Sequence, residues 1–436
     1  SMNKLMNIKN IFFYVIFFLI FNCTFLFAQD YDYAKQELQM DNIIYYSSIK
    51  TVQCYQEKSE ISFPAIELGK GDKIVLAFDD LEAGVKSLQY TFIHCDFNWN
   101  PSGLAALDYL YGNPEDNITN WQASSNTMPV YTHFNLSFPT NNLQITKSGN
   151  YVIKVYQNND PEQLILTRRF LVFENKVGIN VNVHGATNNQ DRSYKQEVDF
   201  EIGIGDYPLN EPYNNVLVSI MQNQRFDNAI TNLKPMYAKS SSLTYDYDEG
   251  NVFNGLSEFR ELDIKNLQLT SLRVSNIRRD DNKYYHVFMN NEESNAFKRY
   301  SFNRDINGQF VIKNALGMAD TDGDYAYVHF SLPAENQYAG DVYITGAFSA
   351  FKCLPQYKMI YDAEKKMYLL RTPFKQGYYN YHFRVKKAEV EDETAIEGNR
   401  FETENSYTIL VYYRGIGFFY DKLIGISTVY SNSFSR

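Results

Sequence analysis

Tyr151-Val152-Ile153-Lys154-Val155-Tyr156 and, a short polar stretch later, Leu164-Ile165-Leu166-Thr167-Arg168-Arg169-Phe170-Leu171-Val172-Phe173 decide the fold class of this chain. Both runs are rich in β-branched and aromatic residues, which suit a pleated, half-buried surface. The first opens on a Ser148-Gly149-Asn150 turn. Upstream, Tyr90-Thr91-Phe92-Ile93-His94-Cys95 reads the same way. Roughly seven such strands fit between Ile49 and Phe173, which predicts a β-sandwich and not a lone hairpin. The whole chain shares this bias: 36 Tyr and 32 Phe among 436 residues, concentrated in short runs between Asn, Asp and Gly turns.

Beyond the polar joint Glu174-Asn175-Lys176, a second block opens with Gly178-Ile179-Asn180-Val181-Asn182-Val183, whose period of two puts Ile179, Val181 and Val183 on one face. It continues to Phe310-Val311-Ile312. The stretch Ala319-Asp320-Thr321-Asp322-Gly323-Asp324 is the next expected joint. A third block begins at Tyr325 to Leu332, where Ala326, Val328, Phe330 and Leu332 share a face, and the last clear strand runs from Tyr407 to Arg414. The expected organisation is a signal peptide at 1–28, β-sandwich domains at 29–176, 177–318 and 319–415, and a C-terminal tail at 416–436. The fold class is all-β, with tandem immunoglobulin-like sandwiches.

Lys4 and Lys9 precede an apolar run from Ile11 to Phe21, and Ala28 supplies a small residue before a cut at Gln29, the pattern of a secretory signal. A lipobox ending at Cys23 is the rival reading, but Asn22 stands where a small residue belongs. The formal net charge is −10. An acidic surface without a Lys/Arg cluster repels phosphate backbones and excludes nucleic acid as a partner. Cys54, Cys95 and Cys353 remain after cleavage, too few and odd in number for a disulfide framework. A Cys54–Cys95 bridge is open to an exported protein; three inert buried thiols is the plainer reading.

No catalytic or cofactor motif stands out. His94 and Cys95 adjoin in a strand, so their side chains point to opposite faces and form no nucleophile–base pair. Asp320-x-Asp322-Gly323-Asp324 starts like a calcium loop, but its sixth position is Tyr325 and its twelfth Ser331, which fails the EF-hand pattern. The six histidines show no metal-ligand spacing. The expectation is therefore no enzyme, no cofactor and no metal. For binding, the longest irregular stretch, Asn98 to Asn126, carries Trp99, Tyr109, Tyr111 and Trp121. Aromatics in such a loop either fold back as a small core or anchor a partner. Arg225 and Phe226 form a second candidate, as an exposed Arg–aromatic pair at a strand end.

Seven strings recur in a fixed order: His94-Cys95-Asp96-Phe97-Asn98-Trp99-Asn100-Pro101-Ser102, Tyr131-Thr132-His133, Leu166 to Phe170, Gln222-Asn223-Gln224-Arg225-Phe226-Asp227-Asn228-Ala229-Ile230, Glu258-Phe259-Arg260, Lys375-Gln376-Gly377-Tyr378-Tyr379-Asn380-Tyr381, and Glu397 to Asn405. Together they resemble the plug protein family of the type IX secretion system. The resemblance implies a non-enzymatic periplasmic protein that closes the opening of the translocon barrel in the outer membrane. Its partners would be that large β-barrel and its accessory subunits, with no membrane span of its own. The third block also resembles early-set, glycogen-binding-like modules in Gly346-Ala347-Phe348 and Gly377 to Phe383, with Phe351 at their tryptophan position. A periplasmic carbohydrate-binding protein is the alternative reading, and an uncharacterised hydrolase a third.

Overall fold

The structure is a computed structural model that describes residues 36–431. The expected signal peptide and lipobox cysteine lie outside the described residues. The chain is all-β, and its strands close over three large apolar cores.

The first core lies between two antiparallel sheets. One centres on Asp160–Phe173, Gly149–Gln157 and Leu88–Cys95; the other is Ile49–Gln56, Ile74–Asp80, Thr132–Phe138 and Trp121–Ala123. Tyr151, Ile153 and Val155 alternate inward, as a period of two requires. Phe92, Phe138 and Phe170 meet at its centre, with ring centroids 5.0–5.4 Å apart.

In the second core, Gly178–Gly185, Lys195–Gly203 and Ser242–Tyr245 face the sheet Val216–Gln222, Ser406–Tyr413 and Lys422–Tyr430. Ile179, Val181 and Val183 pack against its edge. The third core sits between the sheet containing Tyr325–Pro333 and Met367–Lys375 and the sheet built around Gly377–Lys387. Ala326, Val328, Phe330 and Leu332 all point into it.

The cores divide the chain differently from two of the expected boundaries. A joint at 313–324 would separate Phe310–Ile312 from the third block. Instead Phe310–Ile312 pairs with Gly377–Lys387, and Leu262, Val274 and Val287 lie in the third core. The expected tail at 416–436 contains the strand Lys422–Tyr430, paired along its length with Ser406–Tyr413. These two strands complete the second sandwich, so the third core is inserted between Phe253 and Tyr407 of the second. The physical reason is pairing: Val216–Gln222 is laddered along its whole length with Ser406–Tyr413, almost two hundred positions along the chain. Hydrophobic periodicity reports which face is buried and is silent on that partner.

Candidate functional site

The strings that carry the family resemblance lie mostly where the cores meet. The first is a tight turn. The Asp96 carboxylate accepts hydrogen bonds from the Asn98 and Asn100 amides, both at 2.9 Å, and Trp99 adopts a left-handed backbone with φ 65°. An Asp that bonds the backbone two residues on is a strong turn former. The turn aims two aromatics out of the first domain. Phe97 packs edge-on against Tyr412 of the second, with centroids 5.0 Å apart, and its amide donates to Asp421. Trp99 meets Phe226 edge-on at 5.2 Å, and the Arg169 guanidinium lies 4.4 Å over the Trp99 ring. Leu171, Met221, Leu410 and Leu423 complete this inter-core cluster.

Behind Phe226, Arg225 is only 4% exposed. It grips Asp227 with two hydrogen bonds of 3.0 and 2.6 Å and also pairs with Glu393. Glu393 in turn receives Arg384 at 2.7 Å. Burial alone would raise the Glu393 carboxyl, but the Arg225 and Arg384 charges outweigh it and hold the group down at about 2. The guanidinium of Arg225 stands 5.3 Å over Phe351.

A second lock joins the first and third domains. Lys375 and Asp79 pair at 2.7 Å with side chains each only 1% exposed. The Tyr325 hydroxyl donates at 2.7 Å to the same oxygen as Lys375, Asp79 Oδ2, and His133 Nδ1 lies 2.7 Å from Oδ1. The Tyr131 hydroxyl reaches the Gly323 carbonyl at 2.8 Å, and Asp324 accepts the Met128 amide at 2.8 Å. The Asp320–Asp324 stretch is therefore a clip between domains, its carboxylates turned to different partners. A third lock ties the inserted domain to the returning chain. Arg260 bonds Glu397 at 3.0 Å, and Asn405 bridges Gln196 and Gly255. Buried ion pairs of this kind fix geometry more than they add stability, and losing one partner is costly.

His94 and Cys95 turn to separate partners, the Cys95 thiol towards the Ile93 carbonyl. His94 is buried, its Nε2 3.0 Å from the Ser148 carbonyl, in contact with Gly149, where an added Cβ would sit 2.6 Å from that nitrogen. All three described cysteines are free, so no Cys54–Cys95 bridge forms. Burial pushes the thiols of Cys54, Cys95 and Cys353 up to about 12, where they are poor nucleophiles. A cavity of about 160 Å³ opens where the three domains meet, lined by Phe63, Arg168, Arg169, Phe226, Phe351 and others.

The structure thus brings Trp99, Arg225 and Phe226 together, but as an internal joint. The expectation of an exposed Arg225–Phe226 pair is corrected by its burial among acids and rings. Tyr109 is also buried; it packs in the first core and donates to the Phe92 carbonyl at 3.1 Å. Tyr111 and Trp121 stand apart from that joint, 68% and 40% exposed. The stretch Asn98 to Asn126 is less irregular than expected, with short elements at Ala106–Tyr109, Leu110–Gly112 and Trp121–Ala123. One group that sequence reading missed could hold a metal: His184, Glu197 and Asp199. Only the cross-strand register unites them, and an alternating Glu-x-Asp opposite a His was its sole trace in the sequence.

Comparison with known proteins follows the same lines. Residues 49–174 match the family model described as Type 9 secretion system plug protein 1st domain. No curated protein matches the chain. The crystal structure of a hypothetical protein from Parabacteroides merdae ATCC 43184 is similar over 90% of this chain and 100% of its own, with 31% identity and a TM-score of 0.86. The first domain, residues 49–174, thus belongs to the type 9 secretion system plug protein family, and the chain as a whole shares its fold with the Parabacteroides protein.

Proposed function

We propose that this protein is the non-enzymatic plug that closes the periplasmic opening of the type IX translocon barrel in the outer membrane. The observation that carries the reading is the match of the first domain to the plug family. The locks add a physical argument. A stopper must resist deformation, and buried pairs such as Lys375–Asp79 and Arg225–Glu393 tie three cores to one another. Among the described residues no helix is long and apolar enough to cross a membrane, so attachment would run through the barrel and its accessory subunits. Phe351, the residue at the sugar-stacking position of early-set modules, is 6% exposed and covered by Arg225, which weakens the carbohydrate reading.

The test is affinity purification of the tagged protein from native outer membranes. Recovery of a much larger barrel protein, together with increased permeability to large antibiotics when the protein is deleted, is the expected result. Recovery of no barrel would sink the reading.

A further inference from the structure

His184 is the penultimate residue of the strand Gly178–Gly185 and sits directly opposite Glu197 on the antiparallel strand Lys195–Gly203. Asp199 lies two residues on from Glu197, hence on the same face. That face is turned away from Val198 and Phe200, which fill the second core. His184 Nε2 is 2.7 Å from Asp199 Oδ2 and 3.8 Å from Glu197 Oε1. One atom from each of the three residues falls within 4.8 Å of the others.

Each group is held from behind by its remaining atoms. His184 Nδ1 donates to the Gly185 carbonyl at 2.8 Å, so a metal that displaced the Nε2 proton would meet a ring already oriented with Nε2 toward the two carboxylates. Glu197 accepts the Thr187 amide at 2.7 Å on Oε2 and the Thr187 hydroxyl at 3.0 Å on Oε1. Asp199 accepts Asn251 Nδ2 at 2.9 Å on Oδ1, and its Oδ2 takes the ring at 2.7 Å. Asn251 is fully buried, and its own Oδ1 has no partner among the described residues, an orphaned acceptor beside the cluster. A backbone carbonyl behind a histidine and donors behind the carboxylates are the outer-shell arrangement that orients metal ligands.

The charges point the same way. Among the described residues, no Lys or Arg nitrogen lies within 4.0 Å of the Glu197 or Asp199 carboxylate. Asp246 adds further negative charge near Asp199. Two fixed carboxylates, one of them almost fully buried, thus face one another with a single imidazole between them.

We propose that His184, Glu197 and Asp199 bind a divalent transition-metal ion of the Zn²⁺ class, cross-linking the first two strands of the second domain and the turn at Thr187. One imidazole nitrogen with two carboxylate oxygens suits Zn²⁺, which accepts mixed nitrogen and oxygen ligands; Ca²⁺ takes oxygen alone. A fourth position would fall to water. The role is structural: the site lies on the face away from the apolar core, where apolar packing gives no cross-link between those strands.

The experiment is equilibrium dialysis of the full secreted chain against Zn²⁺, with bound metal counted by mass spectrometry and the melting temperature followed in parallel. The expected result is one Zn²⁺ per chain and a higher melting temperature with metal. Glu197→Gln and Asp199→Asn should each weaken binding at least tenfold and abolish the metal-dependent rise. Thr187→Val keeps all three ligands and should weaken binding severalfold, which guards against variants that fail to fold. Co²⁺ in place of Zn²⁺ should give visible ligand-field bands that Asp199→Asn removes. Absence of bound Zn²⁺, or binding unchanged in Asp199→Asn and His184→Asn, overturns the site and leaves His184 as a protonated bridge between two acids. In the third domain His286 Nδ1 and His329 Nε2 lie 2.9 Å apart; binding should be retained in His329→Asn, and its loss would move the metal to that pair, overturning the proposal.

Discussion

Lys375 shows how much one residue carries in this molecule. Its ammonium is buried against Asp79 across the boundary between the first and third domains. Removing one partner leaves an uncompensated buried charge, at a cost of about 3–5 kcal/mol. Lys375→Met should therefore lower stability by that order in chemical denaturation, and the double variant Asp79→Asn/Lys375→Met should recover part of the loss. A Lys375→Met protein that unfolds with the wild type would show the pair to be energetically idle. A second residue-scale effect concerns pH. Burial raises the carboxyl of Glu258 to about 8 and that of Asp305 to about 7. In the unfolded chain both ionise near their ordinary values, so the native state holds more protons between those values and neutral pH. Stability from this pair is then present at low pH and is lost as pH rises through 7 and 8. Glu393 works in the opposite sense, stabilising above the ordinary carboxylate range and failing as pH falls towards 2. Glu258→Gln should flatten the decline in stability between pH 5 and 8, by on the order of 2 kcal/mol over that span. An unchanged slope would show that Glu258 ionises normally.

At the scale of elements, periodicity read well where a strand has one wet face or a long apolar run. The alternation at Ala326 to Leu332 marked the residues that enter the third core, and the short aromatic runs marked the strands of the first. What the chain did not reveal is pairing at a distance. Ser406–Tyr413 is buried at every position, so no alternation hints at its neighbours, and its partners are Val216–Gln222 on one side and Lys422–Tyr430 on the other. The last strand, expected as a tail, follows the turn Gly415-Ile416-Gly417-Phe418-Phe419. In the structure, Leu423 and Ile424 are fully buried, in the inter-core cluster and the second core. Truncation before Lys422 should therefore strip the edge of the second sandwich and lower the melting temperature of the whole protein by well over ten degrees, since deleting several buried aliphatic side chains removes about 2–5 kcal/mol each. A truncated chain that melts as the full one does would restore the tail reading.

For the whole molecule, the strings that identify the family proved to be its joints. Their order along the chain was legible; their meeting was not, because Arg169 and Trp99 lie on separate elements of the first domain and Phe226 on the second. Sequence reading could therefore use Gln222 to Ile230 as one of seven strings of a family resemblance and still misjudge Arg225 and Phe226 as a docking pair. The same geometry separates internal from external aromatics. Trp99, Tyr109 and Phe226 are used up in packing, whereas Tyr111 and Trp121 are left on the surface of the first domain, the part that matches the plug family. Exposed tyrosine and tryptophan are the side chains that most often anchor a protein interface. If this surface meets the barrel, Tyr111→Glu and Trp121→Glu should each cut co-purification with the translocon about tenfold, a loss of about 1.4 kcal/mol, while the melting temperature stays within a degree or two. Arg225→Ala should do the reverse: it strips buried Glu393 of one of its two guanidinium partners, so the protein should melt lower, and binding should weaken only in proportion to unfolding. Equal translocon recovery from the wild type and both surface variants would clear Tyr111 and Trp121 of any docking role and move the search to the exposed apolar residues of the other two domains, such as Leu272, Phe297 and Phe419.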